Sequence, residues 1–399
     1  MKFENGYYTC DIDITEEEWI DLLKDKKVTK NEYKFVLLMF LNEPDHASTC
    51  KEIGEKYNLP AQSINARVIS FCKAVHKKLN RYDIFDGDTQ KFWHFAMKGR
   101  NVGGYFEWTL RPELASALEK CHLSWIPFYE EFAQKLLSYK NNRVDLIRIV
   151  YGLEEKYVKN LYNADGSELS DVDPYSVFAL MNKGLPDDQR IAVAEYFKTA
   201  LKVEASLPND FDGIPIMSVF HTYFFDKEIA AKEIPILWDL YEAELSSDKN
   251  RLVEAFDALQ QFKWMKWNIT MGMYWVKPND YLSLDTNNRL YLQKMGVSLF
   301  KETEINADNY LKLLNSLKDK LKSDGMKVKD IAALTYEAWR ENLKISEEER
   351  GMWLAGYTYK EGSQLERFVK EGIWEGYFDV VKEKKQIELA GEIKSGDVL

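Results

Sequence analysis

The chain has 399 residues, 45% of them hydrophobic and 14% aromatic, with a formal net charge of −11. That is apolar material for about two to four packed domains and excludes a disordered chain. No run of about 18 apolar residues occurs and the N-terminus lacks an apolar stretch, so neither a membrane span nor a secretion signal is expected.

The first elements read as helices. Residues 31–40 are apolar and helical. A second helix opens near Ser48 or Thr49, with Glu52 at capping-box distance. Leu59 and Pro60 then break the chain before a third helix. Its apolar positions Ile64, Val68, Phe71, Val75 and Leu79 step by four and three, as one buried stripe does. A neighbouring face carries Ser63, Arg67, Ser70, Ala74, Lys77 and Arg81, which are small, polar or basic. Residues 92–97 and 105–110 read as two strands joined by a basic, glycine-rich loop over residues 98–104. Helix, helix–turn–helix and hairpin, in that order, describe a winged helix over residues 1–122.

Residues 123–345 read as a helical middle domain. A long amphipathic pattern covers residues 128–151, and Asp173 and Pro174 cap and start another helix. Residues 208–215 form a turn-rich connector, followed by helices near 234–244, 252–262 and 310–322. Between them lies an aromatic segment with Trp264, Trp267, Tyr274, Trp275 and Tyr281, followed by Asp285, Asn287, Asn288 and Arg289. The aromatics could stack on nucleobases, but among Met265, Met271 and Met273 they fit a core better. The polar group fits a helix cap and turn. Residues 346–399 contain one strand, a short helix and the start of another strand, so the polypeptide is expected to continue beyond Leu399.

The acidic total hides a local basic region. Residues 51–111 hold 11 Lys and Arg against 6 Asp and Glu, and residues 67–81 hold five cations and no acid. Such a face can hold phosphates even on an acidic chain. The candidate DNA contacts are Ser63, Arg67, Ser70, Lys73, Lys77, Lys78 and Arg81 on the third helix, and Lys98, Arg100 and Asn101 in the wing. A winged helix used to bind protein is the alternative for the same elements.

Enzyme chemistry finds little support. Residues 391–398 have the glycine spacing of a phosphate loop, but Asp397 and Val398 replace the lysine and the hydroxyl. No GxSxG or HExxH occurs, and His46, His76, His94, His122 and His221 lack metal-ligand spacing. The pattern of a PD-(D/E)xK nuclease is missing from residues 388–394. No enzyme activity and no cofactor are therefore expected. Cys10, Cys50, Cys72 and Cys121 are scattered without a CxxC pair, which suits reduced thiols in a cytoplasm.

Four strings carry a family resemblance: residues 272–292, with residues 128–143, 211–215 and 267–275. They resemble the N-terminal region of McrB-type restriction proteins, AAA+ GTPases of methylcytosine-dependent restriction, without the motor. The last segment resembles the start of an EVE/PUA-like fold, in Trp353 to Tyr359, Gln364 to Trp374 and the Lys394-Ser395-Gly396-Asp397 turn. In that family an aromatic pocket holds a flipped modified base, which makes Trp353, Tyr357, Tyr359 and Trp374 the candidates here. The resemblance implies a mainly α protein with little β structure: winged helix, helical middle domain and partial EVE/PUA-like α+β segment. It implies a non-catalytic DNA-recognition part of an anti-phage restriction system, with DNA and a McrC-like nuclease or other defence subunits as partners. The alternative is a scaffold or assembly module of such a complex without direct DNA binding.

Overall fold

The computed structural model describes residues 2–163, 165–218, 223–262, 265–323 and 328–349, with residues 358–359 and 362–363; side chains are described as far as residue 343. The chain is mainly helical with a small antiparallel sheet. It divides into two compact units. The first gathers the residues up to Asp212 with Ile216–Met265 and Trp275–Pro278; the second gathers Gly213–Pro215, Lys266–Tyr274 and the described residues from Asn279 on.

The strands are β1 (Lys2–Glu4), β2 (Tyr7–Thr9), β3 (Ala47–Thr49), β4 (Phe85–Asp86), β5 (Thr89–Gln90), β6 (Met97–Val102) and β7 (Tyr105–Leu110). The first helices are α1 (Glu16–Lys24), α2 (Asn31–Leu41), α3 (Cys50–Tyr57), α4 (Ala61–Leu79) and α5 (Pro112–Cys121). One five-stranded sheet runs β1-β2-β6-β7-β3. β3 pairs antiparallel with β7 through Ser48↔Trp108, and β6 pairs with β7 through Gly99↔Trp108. The short β3 thus runs straight into α3 while forming the third strand of the β6–β7 hairpin. Helices α1, α2 and α4 bury their apolar stripes together; Trp19 and Phe71 stack at 6.1 Å between ring centroids.

The expected stripe of α4 is buried at Ile64, Val68, Phe71 and Val75, all 1% exposed or less, while its last position, Leu79, is half-buried at the helix end. The capping box of α3 is also present, with Thr49 as the cap and Glu52 returning to its backbone. One element differs. Residues 92–97 were expected as a strand, yet Trp93–Phe95 form a 3-10 turn and the strand begins at Met97. His94, Phe95, Ala96 and Met97 are all fully buried, which the alternating faces of a strand would not allow. Arg111 holds that turn from below, its Nε donating to the His94 carbonyl at 2.7 Å. The β1–β2 hairpin went unread, although Asn5-Gly6 signals it: both residues have positive φ (51° and 83°), as a tight hairpin turn needs.

The rest of the first unit is helical: α6 (Trp125–Leu137), α7 (Arg143–Tyr151), α8 (Glu155–Val158), α9 (Pro174–Met181), α10 (Asp187–Leu201), α11 (Ala230–Ser246) and α12 (Lys249–Leu259). The amphipathic pattern expected over 128–151 is two helices, α6 and α7, separated by turns that include Tyr139. Asp173 caps α9 as expected, accepting from the Ser176 backbone at 2.9 Å. The connector near residues 208–215 is tied to α2. Lys34, 3% exposed, places Nζ 2.5 Å from Asp210 and 2.9 Å from Asp212. Between those two acids Phe211 lies under the Arg190 guanidinium, 4.0 Å from the ring centroid.

The later helices are α13 (Asn268–Val276), α14 (Thr286–Lys294), α15 (Ala307–Leu321) and α16 (Ile331–Glu349). In the second unit Asp285 caps α14, accepting from Asn287 N at 2.9 Å, and the Asn288 amide ties back to the Ser283 carbonyl at 2.9 Å. Tyr310 closes the same loop, its hydroxyl bonding both Leu282 N and Leu282 O. Tyr274 and Trp275 are fully buried, and Tyr281 is nearly so. These aromatics are core, and the polar residues after them are a cap and its turn. Trp264 lies outside the described residues.

Candidate nucleic-acid interface

The candidate face is built by α3, its turn into α4, and the β6–β7 hairpin. The turn between the helices is tight. Asn58 ends α3 with φ 53°, and Leu59 N bonds back to the Gly54 carbonyl at 2.9 Å. A Cβ added at Gly54 would sit 2.5 Å from the Leu59 carbonyl oxygen, so only glycine lets the turn pass this close to α3. Pro60 then starts α4 with extended backbone and no N–H to satisfy.

Helix α4 exposes Gln62, Asn65, Ala66, Lys73, Lys77 and Lys78. Ser63, Arg67, Ser70 and Arg81 are half-buried. The basic residues divide into two sets. Arg81 pairs with Glu18 of α1 at 2.7 Å and Lys78 pairs with Asp25 at 2.8 Å. Arg67 bonds the Ser63 hydroxyl and lies 4.0 Å from Glu32 of α2. These three cations tie α4 to the helices beside it. The Lys78 ammonium in turn holds the Asp25 carboxyl below its ordinary range, together with a backbone bond from Lys27. Lys73 and Lys77 have no carboxylate partner among the described residues; the Lys73 ammonium rests 5.4 Å from the Phe92 ring. The open side of α4 is therefore small and polar with two free ammonium groups.

The hairpin differs from a flexible basic loop. Lys98, Arg100 and Asn101 sit within β6, and the connection is only Gly103-Gly104, with φ of 57° and 85°. Two consecutive positive-φ residues match the right-handed twist of the flanking strands. Arg100 pairs with Glu107 across the strands at 2.5 Å and lies over Tyr7 at 5.0 Å. That pairing holds its guanidinium above its ordinary pKa. Lys98 has no ionic partner among the described residues, and Asn101 is exposed. Lys51, at the start of α3, reaches the hairpin by donating to the Tyr105 hydroxyl at 3.1 Å.

Trp353, Tyr357 and Trp374 lie outside the described residues, as do residues 391–398. Tyr359 belongs to a short strand, Thr358–Tyr359, paired with Gly362–Ser363. Among the described residues no three of His, Cys, Asp and Glu converge as metal ligands. No helix among them is long and apolar enough to cross a membrane. All four cysteines are free thiols; burial pushes those of Cys50 and Cys72 up to about 12.

Sequence reasoning also missed a buried ion cluster that ties α2 to the connector near residues 208–215. Lys34 with Asp210 and Asp212 joins residues about 176 apart in the chain, with Lys26 3.8 Å from both Asp212 and Asp187. Nothing in the local pattern of residues 31–40 marks Lys34 as buried, since it stands in an apolar run where a lysine would ordinarily point to solvent.

The fold is thus a mainly helical chain carrying a helix–turn–helix and a β-hairpin at its N-terminal end. Residues 125–341, more than half of the chain, match the model of a domain of unknown function (DUF8425), and the chain belongs to that family. The candidate face, at residues 50–110, precedes the matched region. No curated protein and no solved structure matches the chain.

Proposed function

We propose that residues 1–122 act as a winged-helix DNA-binding domain and that the chain is a non-catalytic DNA-recognition component. The observation that carries this reading is the order α2-β3-α3-α4-β6-β7, with β3 paired to β7. It is the connectivity in which the second helix of a helix–turn–helix is presented for the major groove and a hairpin flanks it. Helix α4 suits that role because its open side carries Gln62, Ala66, Ser70, Lys73 and Lys77, with small residues that allow close approach and no acid. Placement in a McrB-like modification-dependent restriction system rests on the resemblance of residues 272–292, 128–143, 211–215 and 267–275.

Three cations, Lys73, Lys77 and Lys98, are free to neutralise phosphates. Three contacts give a slope of log K against log salt of roughly −2.7, or about a 40-fold loss of affinity between ~50 and ~200 mM salt. Fluorescence anisotropy with a labelled duplex measures this directly. The combined Lys73→Ala, Lys77→Ala and Lys98→Ala variant should bind weakly with a nearly flat slope. A wild-type chain that shows no affinity at low salt refutes the DNA role.

The scaffold reading draws on one observation: Arg67, Lys78, Arg81 and Arg100 are engaged by the protein's own carboxylates, which leaves less positive charge on the face than the sequence implies. Under that reading duplex binding is absent, and replacing the three free lysines changes nothing.

A further inference from the structure

Exposed aromatics gather on one face of the sheet beside the wing. Phe3 is 63% exposed and Phe106 38% exposed, although each belongs to a regular strand. The register places them together: Phe3 opposes Tyr8, Tyr8 opposes Gly99, and Phe106 opposes Asn101 two residues along β6. Directly opposed residues share a face, and so do residues two apart. The rings follow one another, with centroids 5.0 Å apart for Phe3 and Tyr8, 6.0 Å for Tyr8 and Phe106, and 5.3 Å for Phe106 and Trp93. Gly99 makes this row continuous. A Cβ there would lie 2.4 Å from the Phe106 ring, so the absence of a side chain lets Phe106 approach β6 between Tyr8 and Trp93.

A row of rings open to solvent at one end loses apolar burial in the free protein. Its surroundings indicate what covers it. No sheet residue on this face is acidic, and the amide of exposed Asn101 stands beside Phe106. At the inner end, Trp93 follows Phe92, against which the free ammonium of Lys73 rests. The rings are tilted to one another, by 59° for Phe3 and Tyr8, 31° for Tyr8 and Phe106 and 76° for Phe106 and Trp93, so each offers its own face; with an amide for base edges and a cation for phosphate they suit separate unpaired nucleobases. A continuous duplex hides its base faces, so the rings need unpaired ones.

We propose that the row Phe3, Tyr8, Phe106 and Trp93 stacks on unpaired bases, so that the protein prefers DNA with locally opened base pairs over continuous duplex. The inference rests on the DNA-binding reading above. The test compares the full chain on two labelled DNAs of equal length, one fully paired and one with a central run of mismatches. The two carry the same phosphates, and repeating the comparison at two salt concentrations separates the ionic part, which differs between paired and unpaired strands, from the contribution of the bases. Wild type should bind the mismatched DNA about tenfold more tightly, and 2-aminopurine placed in the mismatch should be quenched. The Phe3→Leu and Phe106→Leu double variant keeps apolar bulk on exposed positions but removes the rings; it should bind both DNAs equally, at the wild-type affinity for the paired one. Equal wild-type affinity for the two DNAs overturns the stacking role and leaves DNA binding intact. A preference that survives in the double variant also overturns it. Absence of binding to either DNA removes the DNA reading and this inference together.

Discussion

Replacing Lys34 by Met should be among the most damaging single changes in the first unit. Met keeps the apolar stem of the side chain and removes the ammonium, with its charge and its hydrogen bonds to Asp210 and Asp212. The ammonium is 3% exposed and contacts Asp210 at 2.5 Å and Asp212 at 2.9 Å, both carboxylates being 7% exposed. At an effective dielectric constant near 20, each contact is worth about 6 kcal/mol of attraction, against several kcal/mol per ion for removal from water. Once the lysine is gone, two buried acids remain with Lys26 as the nearest cation, 3.8 Å from Asp212 and half exposed. Breaking a buried pair in this way costs about 3–5 kcal/mol. For a unit of this size that corresponds to a fall of roughly 6–20 °C in Tm, read by near-UV circular dichroism. Adding Asp210→Asn and Asp212→Asn to Lys34→Met removes the uncompensated charges and should recover at least half of the loss. A single variant within ~1 kcal/mol of wild type, or a triple variant no more stable than the single one, refutes the reasoning.

Other outcomes follow from named contacts. His94 is fully buried with neither ring nitrogen hydrogen-bonded among the described residues, and burial lowers its pKa to about 4 from 6.5. The unfolded chain takes up this proton first, so the stability due to neutral His94 is complete above pH ~6.5 and is lost as pH falls toward ~4, by up to about 3 kcal/mol. Asp173, pushed up to about 7 by burial, acts in the opposite direction across that window. The difference between wild type and His94→Leu is therefore the quantity to measure, and a difference that does not vary between pH 7 and pH ~4.5 contradicts the assignment. Gly54→Ala pushes a methyl against the Leu59 carbonyl and should cost about 1–3 kcal/mol and weaken DNA binding through the displaced α4; a neutral effect on melting would show that the turn can relax. Asp285→Ala removes the cap of α14 and one partner of the Asn288 amide, and should destabilise the second unit by about 1–2 kcal/mol in a denaturant titration.

Local chemistry determined a good deal of this protein from the sequence by itself. The Thr49–Glu52 capping box, the four-and-three stripe of α4, the Asp173-Pro174 start of α9 and the core character of Tyr274 and Trp275 all depend on residues close together in the chain, where spacing carries the information. The hairpin was legible as well, though its glycine-rich stretch proved to be strand with only Gly103-Gly104 as the turn. The turn into the 3-10 segment at Trp93 was not legible, because burial of His94 through Met97 on all sides is imposed by elements far away, including Arg111. The same holds for charge. Arg67, Lys78, Arg81 and Arg100 read as a basic face when counted along the chain, yet Glu32, Asp25, Glu18 and Glu107 stand against them once the helices and strands pack. Only tertiary structure leaves Lys73, Lys77 and Lys98, of the candidate cations, without a carboxylate partner among the described residues, buries Lys34 between Asp210 and Asp212, and lines up Phe3, Tyr8 and Phe106. Sequence spacing reports on neighbours within a turn or a strand, whereas ion pairing and ring stacking are settled by residues that meet only after folding.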